Sequence, residues 1–155
     1  MLRIHRTGVR AVMVGLLVAG CATGGGAPIR TMPETTSGEL SARMRTGSAV
    51  GGVIPMAVGM SNGTDQQFRV PAERVVAIDA AGNRIAALSL AEATALAGEG
   101  LASAEARYLG EAVSAPGQPL TGIVFFPDGD YYSVRLIAIP SAGGDEREVM
   151  GFKAM

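Results

Sequence analysis

Regular alternation of apolar and polar residues is the main pattern of the chain after residue 50. Ile54, Met56, Val58 and Met60 occupy every second position, which is typical of a strand with one face towards a core. Turn residues separate further apolar runs every 8–12 residues or so, a spacing that indicates a β-sandwich or barrel. These runs lie at 53–60, 68–70, 74–79, 84–88, 111–114, 120–126, 131–139 and 147–154.

Several local features refine this prediction. Leu40, Ala42 and Met44 alternate with polar neighbours, so 39–51 is either a first strand or part of a linker. Pro55 cannot donate a ladder hydrogen bond, which predicts an edge strand or a bulge. Asn62-Gly63 predicts a hairpin turn.

Strand periodicity also assigns side chains to faces. In the run 131–139 it places Tyr132, Val134, Leu136 and Ala138 on one face. The run 123–126 is bulky on both faces, as expected of a central strand. Met150 and Phe152 point one way from the last strand. We expect methionines to fill the core from the strand faces, namely Met44, Met56, Met60 and Met150.

A helical insertion interrupts the strands at about 89–109. Ser89 and Glu92 form a Ser-x-x-Glu capping box, and Leu90, Ala93, Leu96 and Ala97 follow at helical spacing. Gly98 is placed to end this helix, and a second alanine-rich piece follows at 102–109. The insertion either covers an open end of the sandwich or docks a partner protein.

The start of the chain has the layout of an export signal. Arg3, Arg6 and Arg10 precede about ten apolar residues, too few for a helix that spans a bilayer. Val18-Ala19-Gly20-Cys21 resembles the lipobox of bacterial lipoproteins. The resemblance implies a signal peptide over 1–20, cleavage between Gly20 and Cys21, and a thioether from the Cys21 thiol to a diacylglycerol that carries acyl chains such as palmitate. The alternative is an ordinary signal with an unrelated cysteine.

Residues 22–38 are rich in small and turn-forming residues and show no periodicity. We interpret 21–38 as the lipidated cysteine with a flexible tether, which reaches about 20–25 Å, and 39–155 as the folded domain. Ala22 stands where an aspartate tends to hold lipoproteins at the inner membrane. Because this chain has alanine and not aspartate there, the sequence favours the outer membrane over the inner membrane, with the domain facing the periplasm.

Composition restricts the chemistry of the domain. All 14 acids but only 10 of the 13 bases lie after residue 20, so the mature chain has a net charge of about −4 without a basic run. Neither nucleic acid nor an anionic membrane surface is therefore predicted as a partner. The one histidine, His5, lies in the signal, and Cys21 is the one cysteine. A Ser-His-Asp triad and a zinc site of His or Cys ligands are excluded, and we predict no enzyme activity, no cofactor and no metal centre.

One loop remains a candidate binding site. Asp128 and Asp130 flank Gly129 and offer oxygen ligands of the kind that Ca²⁺ prefers. Tyr131 and Tyr132 follow at a strand start, where one ring should point inward and the other outward as a binding anchor. The simpler interpretation is a solvated turn followed by residues of high β-propensity.

Three stretches of the mature chain resemble small bacterial lipoproteins with one immunoglobulin-like domain. They lie at 61–71, at 75–82 together with the following helix, and at 115–126. The resemblance implies an antiparallel β-sandwich that acts as a non-catalytic binding, assembly or envelope-maintenance module, with a protein partner favoured over a small ligand. The alternative function is a periplasmic ligand- or calcium-binding module that uses the loop from Asp128 to Tyr132.

Overall fold

The computed structural model describes residues 39–153, which are mostly β-structure, as predicted. Two α-helices, α1 (Leu90–Ala97) and α2 (Ala102–Glu105), and 3-10 turns at Ala72–Arg74 and Gly98–Leu101 interrupt the strands. None of these helices is long and apolar enough to cross a membrane. The described part has nine strands: β1 (Leu40–Thr46), β2 (Val53–Asn62), β3 (Phe68–Pro71), β4 (Val76–Asp79), β5 (Arg84–Ala86), β6 (Glu111–Ser114), β7 (Leu120–Pro127), β8 (Tyr131–Pro140) and β9 (Arg147–Lys153).

The strands form a curled mixed sheet in the order β5-β4-β8-β9-β1-β2-β7. β3 lies off this path and pairs with both β6 and β8. β1 runs antiparallel to β2 but parallel to β9, with Ala42 opposite Gly151. The prediction of a purely antiparallel arrangement is therefore wrong at β1, the strand that joins the two halves of the sheet.

The inner side of the curl holds the main core. The alternation in β2 is confirmed, because Ile54, Met56, Val58 and Met60 are all buried. The large side chains of this core come from several strands, and burying their apolar surface is the main stabilising term of such a fold. They include Met44, Phe68, Val70, Val75, Val124, Phe126, Tyr131, Val134 and Leu136.

The Asn62-Gly63 segment does not make a hairpin. β2 pairs with β1 and β7, whereas β3 pairs with β6 and β8. The buried side chain of Asn62 explains the difference, because it organises the connection between the two strands. Its Nδ2 donates to the carbonyl oxygens of Gln66 (2.8 Å) and Ser114 (3.2 Å).

Pro55 lies in an interior strand, and the predicted edge strand is wrong. β1 pairs with β2 only as far as Thr46 opposite Met56, one residue before Pro55 is reached. The Gly47 amide donates to the Pro55 carbonyl oxygen at 2.8 Å. Proline is therefore tolerated at the point where its neighbour strand ends.

The helical insertion explains why β7 is bulky on both faces. β7 is the last strand of the path and not a central one, but α1 and α2 cover its outer side. Val53, Ile123 and Phe125 form a second small core there with Ala93 and Leu101. Burial on both sides thus comes from a helix on one face and the main core on the other.

The predicted start and end of α1 are confirmed. The Ser89 Oγ accepts from the Glu92 amide at 3.2 Å, and the Glu92 carboxylate accepts from the Ser89 amide at 2.8 Å. Gly98 follows the last helical residue with a positive φ of 57°, a conformation that favours glycine.

Candidate binding surface on the outer side of the sheet

A β-bulge determines which tyrosine of the candidate loop is accessible. Ile78 of β4 pairs with Ser133, but its neighbour Asp79 pairs with Tyr131, so Tyr132 is an extra residue in β8. The bulge changes the phase of the strand, and Tyr131 joins Val134 and Leu136 in the core. The assignment of Tyr132 to that face is therefore wrong: its side chain is half exposed.

The two tyrosines have different surroundings. The Tyr131 hydroxyl donates to the Pro127 carbonyl oxygen at 2.7 Å, and its ring lies 5.6 Å from that of Phe126. Burial raises the pKa of Tyr131, with a further contribution from the charges of Asp128 and Asp79. Tyr132 points outward, and its ring centroid lies 6.4 Å from that of Phe152. The expectation of one inward and one outward ring is confirmed.

The two aspartates of the loop are exposed. Asp130 lies 3.6 Å from the Lys153 ammonium, and its side chain is 90% exposed. Within residues 39–153 there is no group of three or more His, Cys, Asp or Glu side chains placed to hold a metal ion. The four residues of the candidate loop are thus divided between the core, solvent and the outer side of the sheet.

The outer side of β8 and its neighbours carries a continuous row of side chains, one from each strand. Strand register places Arg84 beside Ile78, Ile78 beside Ser133, and Ser133 beside Phe152. Phe152 in turn lies beside Arg43 of β1. The row therefore has an arginine at each end, with two apolar side chains and the buried Ser133 between them.

A second row runs parallel to the first. Val76 of β4 lies beside Arg135, and Arg135 lies beside Met150. Arg135 forms an ion pair with Glu148, the preceding outward residue of β9. We call these two rows, together with the neighbouring side chains of Tyr132 and Glu148, the outer face. Its residues are Arg43, Val76, Ile78, Arg84, Tyr132, Ser133, Arg135, Glu148, Met150 and Phe152.

The outer face concentrates exposed apolar surface. Five large hydrophobic side chains are exposed in residues 39–153, and three of them, Tyr132 (50%), Met150 (38%) and Phe152 (56%), lie here. The prediction that Met150 fills the core is wrong. β9 instead turns Val149 and Gly151 inward. β1 lies so close to Gly151 that a Cβ there would be 3.2 Å from the Ala42 carbonyl carbon.

Unpaired polar atoms also concentrate on this side of the sheet. Within the described part, three buried side-chain polar atoms lack a hydrogen-bond partner: Ser41 Oγ, Ser133 Oγ and Arg135 Nε. Ser133 and Arg135 belong to the outer face, and Ser41 precedes Arg43 by two residues on β1. Most buried polar groups in native proteins are paired, so these three atoms are exceptions within residues 39–153.

A separate cleft of about 270 Å³ lies between the end of the helical insertion and β2 and β7. It is lined by Ala57, Arg107, Tyr108, Thr121, Gly122 and Ile123. The Tyr108 ring stacks on Phe125, with centroids 5.8 Å apart. Burial, and to a lesser extent the charge of Glu73, raises the pKa of Tyr108. The volume is below that of typical small-molecule sites, which is roughly 300–1,000 Å³.

The predicted lipidation and cleavage site at Gly20 and Cys21, and the tether over 21–38, lie outside the described residues. The outer face was not predicted. The sequence signal that could have found it is the phase of β9, where Gly151 stands between Met150 and Phe152.

Comparison with known proteins gives few matches. No family model matches the chain, and no curated protein matches it. A solved structure from Bacillus subtilis subsp. subtilis str. 168, described as the "putative lipoprotein (ycdA)", is similar with a TM-score of 0.41 and 10% sequence identity. The match covers 75% of this chain and 35% of that chain, so it spans about a third of the Bacillus protein. At this TM-score the likeness supports no statement about the function of this chain.

Proposed function

We propose that this chain is an envelope lipoprotein, anchored through acyl chains on Cys21, whose domain is a non-catalytic module that binds or assembles with another envelope protein. The Val18-Ala19-Gly20-Cys21 motif supports the anchor and cleavage before Cys21. Ala22 supports the outer membrane, with the domain facing the periplasm, over the inner membrane.

The observation on which the binding role rests is the outer face. Exposed apolar patches rimmed by polar groups mark interaction sites in many proteins. Aromatic residues, methionine and arginine are also enriched in protein–protein interfaces. Tyr132, Met150 and Phe152 supply these side-chain types together, and Arg135 lies among them.

Strand pairing supports the finer proposal of an immunoglobulin-like sandwich. In that fold the second strand pairs with the fifth, and the third, sixth and seventh strands form the other layer. We count β2 and β3 as the second and third strands, and β7, β8 and β9 as the fifth, sixth and seventh. The pairs β2–β7, β3–β8 and β8–β9 then correspond to these contacts. β4, β5 and β6 lie between the third and the fifth strands. β1 then joins both layers.

The alternative calcium- or ligand-binding role of the loop from Asp128 to Tyr132 is not supported by its geometry. Tyr131 lies in the core, and Asp130 lies beside Lys153. A rise in melting temperature with millimolar CaCl₂ that is lost in Asp128→Asn would favour this alternative.

Photo-crosslinking in native membranes tests the proposed function. A photo-reactive phenylalanine analogue replaces Phe152 in the anchored, full-length chain, and the control carries it at Leu96, which is 59% exposed on α1. We expect a recurrent protein adduct from position 152 that position 96 does not form. A second variant carries the analogue at Tyr132 in place of Phe152. If neither position 132 nor position 152 gives a protein adduct, the proposed function is wrong.

A further inference from the structure

We infer that Asn62 is a deamidation site that the folded domain protects, and that it reacts when the start of β1 separates from β2. Asn62 precedes Gly63, and glycine has no Cβ to hinder attack of its amide nitrogen on the preceding asparagine side chain. The one other asparagine of the chain, Asn83, precedes the bulkier Arg84. Asn62 is therefore the more reactive of the two asparagines in an unfolded chain.

The reaction at this site needs only the chain itself and water. The deprotonated backbone nitrogen of Gly63 attacks the side-chain carbonyl carbon Cγ of Asn62, and a bond forms between the two atoms. The bond from Cγ to Nδ2 breaks, and Nδ2 takes up a proton from water and leaves as ammonia. Water then opens the resulting cyclic imide at either of its two carbonyl carbons, which leaves aspartate or isoaspartate at position 62. No step is an oxidation or a reduction.

Hydrogen bonds hold the Asn62 side chain in the folded domain. Its Nδ2, the group that must leave, donates to the carbonyl oxygens of Gln66 (2.8 Å) and Ser114 (3.2 Å). Its Oδ1 accepts from the amide and the hydroxyl of Thr64. These bonds keep the side-chain amide in one orientation, and water has little access to it because Asn62 is only 2% exposed.

The amide of Gly63 is held by a bond at the end of a strand pair. Gly63 is partly exposed, and its amide donates to the Glu39 carbonyl oxygen at 2.9 Å. Glu39 is exposed and immediately precedes β1, whose first residue, Leu40, pairs with Asn62. Element ends open locally at a lower free energy than the whole domain. Separation of Glu39 and Leu40 from β2 therefore frees the attacking nitrogen while the rest of the sheet stays folded.

The product cannot restore the connection after β2. A carboxylate at position 62 has no N–H to donate to the carbonyl oxygens of Gln66 and Ser114, and it places negative charge beside them. Isoaspartate also adds a methylene group to the backbone, which displaces the end of the strand. Burying a charge without a partner is costly. Deamidation thus makes a brief opening at the start of β1 permanent.

Conversion of the full-length protein in mildly alkaline buffer tests this inference. Digestion and mass spectrometry follow deamidation at Asn62 and, as an internal reference, at Asn83. Leu40→Ala weakens the start of β1, and Leu120→Ala on β7 is the matched control. Both leucines are partly buried against the main core, opposite Asn62 and Met60 of β2. We expect Leu40→Ala to accelerate conversion at Asn62 about tenfold, and Leu120→Ala to change it by about twofold or less.

The parent protein unfolded in urea gives the reference rate. We expect conversion at Asn62 to be at least roughly tenfold slower in the folded protein, and equal rates would show that the fold gives no protection. Equal acceleration by Leu40→Ala and Leu120→Ala, or by neither, would show that the start of β1 does not control the reaction. Either result overturns the inference. Circular dichroism verifies folding of each variant, and Leu40→Val replaces Leu40→Ala if the larger truncation unfolds the domain.

Discussion

The Oδ1 atom of Asn62 accepts a hydrogen bond of 2.7 Å from the Thr64 hydroxyl and another of 3.0 Å from the Thr64 amide. Its Nδ2 donates two further hydrogen bonds, to Gln66 and to Ser114. These four hydrogen bonds connect the end of β2 to the segment that leads to β3 and to β6. Asn62 is 2% exposed, so its removal leaves buried polar groups without partners.

We therefore expect Asn62→Ala to lower the free energy of unfolding by about 2–3 kcal/mol. Urea denaturation followed by circular dichroism measures the change. Asn83→Ala is the matched control, because Asn83 also binds a neighbouring side chain but in an exposed turn. Equal losses for the two variants would contradict a special role for Asn62.

The close approach of β1 to β9 gives a second prediction. A Cβ at residue 151 would lie 3.1 Å from Val134 Cγ1 and 3.2 Å from the Arg43 amide nitrogen, both tighter than ordinary contacts. Gly151→Ala should lower the free energy of unfolding by about 1–3 kcal/mol. Glu148→Ala on the same strand loses only a partly exposed ion pair and should cost ~1 kcal/mol or less. An undiminished urea midpoint in Gly151→Ala would show that the strands can separate without cost.

The helix cap gives a third prediction. Ser89→Ala removes the side-chain oxygen that accepts from the Glu92 amide, and such caps contribute about 1 kcal/mol. Amide hydrogen exchange should accelerate in α1, while the exchange of β8 and β9 amides stays unchanged. Ser103→Ala in α2 is the control. Uniform acceleration across the sheet would mean that α1 does not unfold separately from it.

The pH dependence of stability should include a contribution from Asp79. The Asn83 side chain donates to its carboxylate, as do backbone amides of the following turn, and these bonds lower the pKa of Asp79. Because the pKa is lower in the folded state, this stabilisation is present above the unfolded value of about 3.9. It is lost as the pH falls through the folded pKa.

Urea midpoints at pH 7 and pH 2 measure this effect in the parent chain and in Asp79→Asn. We expect a lower midpoint for Asp79→Asn at pH 7 and a smaller difference between the two proteins at pH 2. Asp128→Asn removes the charge of another exposed carboxyl group and serves as the control. A difference that grows towards pH 2 would reverse the sign and refute the argument.

The anchor gives a fifth prediction. Cys21→Ala removes the thiol to which the diacylglycerol would attach, so the protein should move from the membrane fraction to the soluble fraction. Stable anchoring takes about two or more acyl chains, and none can be added to alanine. Ala22→Ser is the control with an intact cysteine. Continued sedimentation of Cys21→Ala with membranes would show that the motif is not a lipobox.

Much of the β-structure and the helix cap could be predicted, because both depend on local patterns. The alternation from Ile54 to Met60 and the Ser89–Glu92 box need no distant partner. The faces of β8 and β9 could not be predicted. The faces of β8 depend on the extra residue at Tyr132, which appears only in the pairing with β4. Those of β9 depend on the limited space that β1 leaves at Gly151.

The same distinction explains why the connection after β2 and the outer face were not predicted. Asn62-Gly63 has the composition of a hairpin turn, but the buried Asn62 amide bonds to the connection and to Ser114. The chain therefore continues to a different part of the sheet. Arg43, Arg84 and Arg135 are separated by 41 to 92 positions in sequence, and only the pairing of five strands brings them to one side.

The position of β1 has a mechanical consequence. Its neighbours are β2 on one side and β9, parallel to it, on the other. A pull on β1 from its first residue, with the rest of the sheet held in place, acts along the strand axes. Such a load shears the hydrogen bonds on both sides of β1 together and does not peel them apart one at a time, as it would in a hairpin. The position of β1 thus makes the described sheet resist a pull at its first strand through many hydrogen bonds at once.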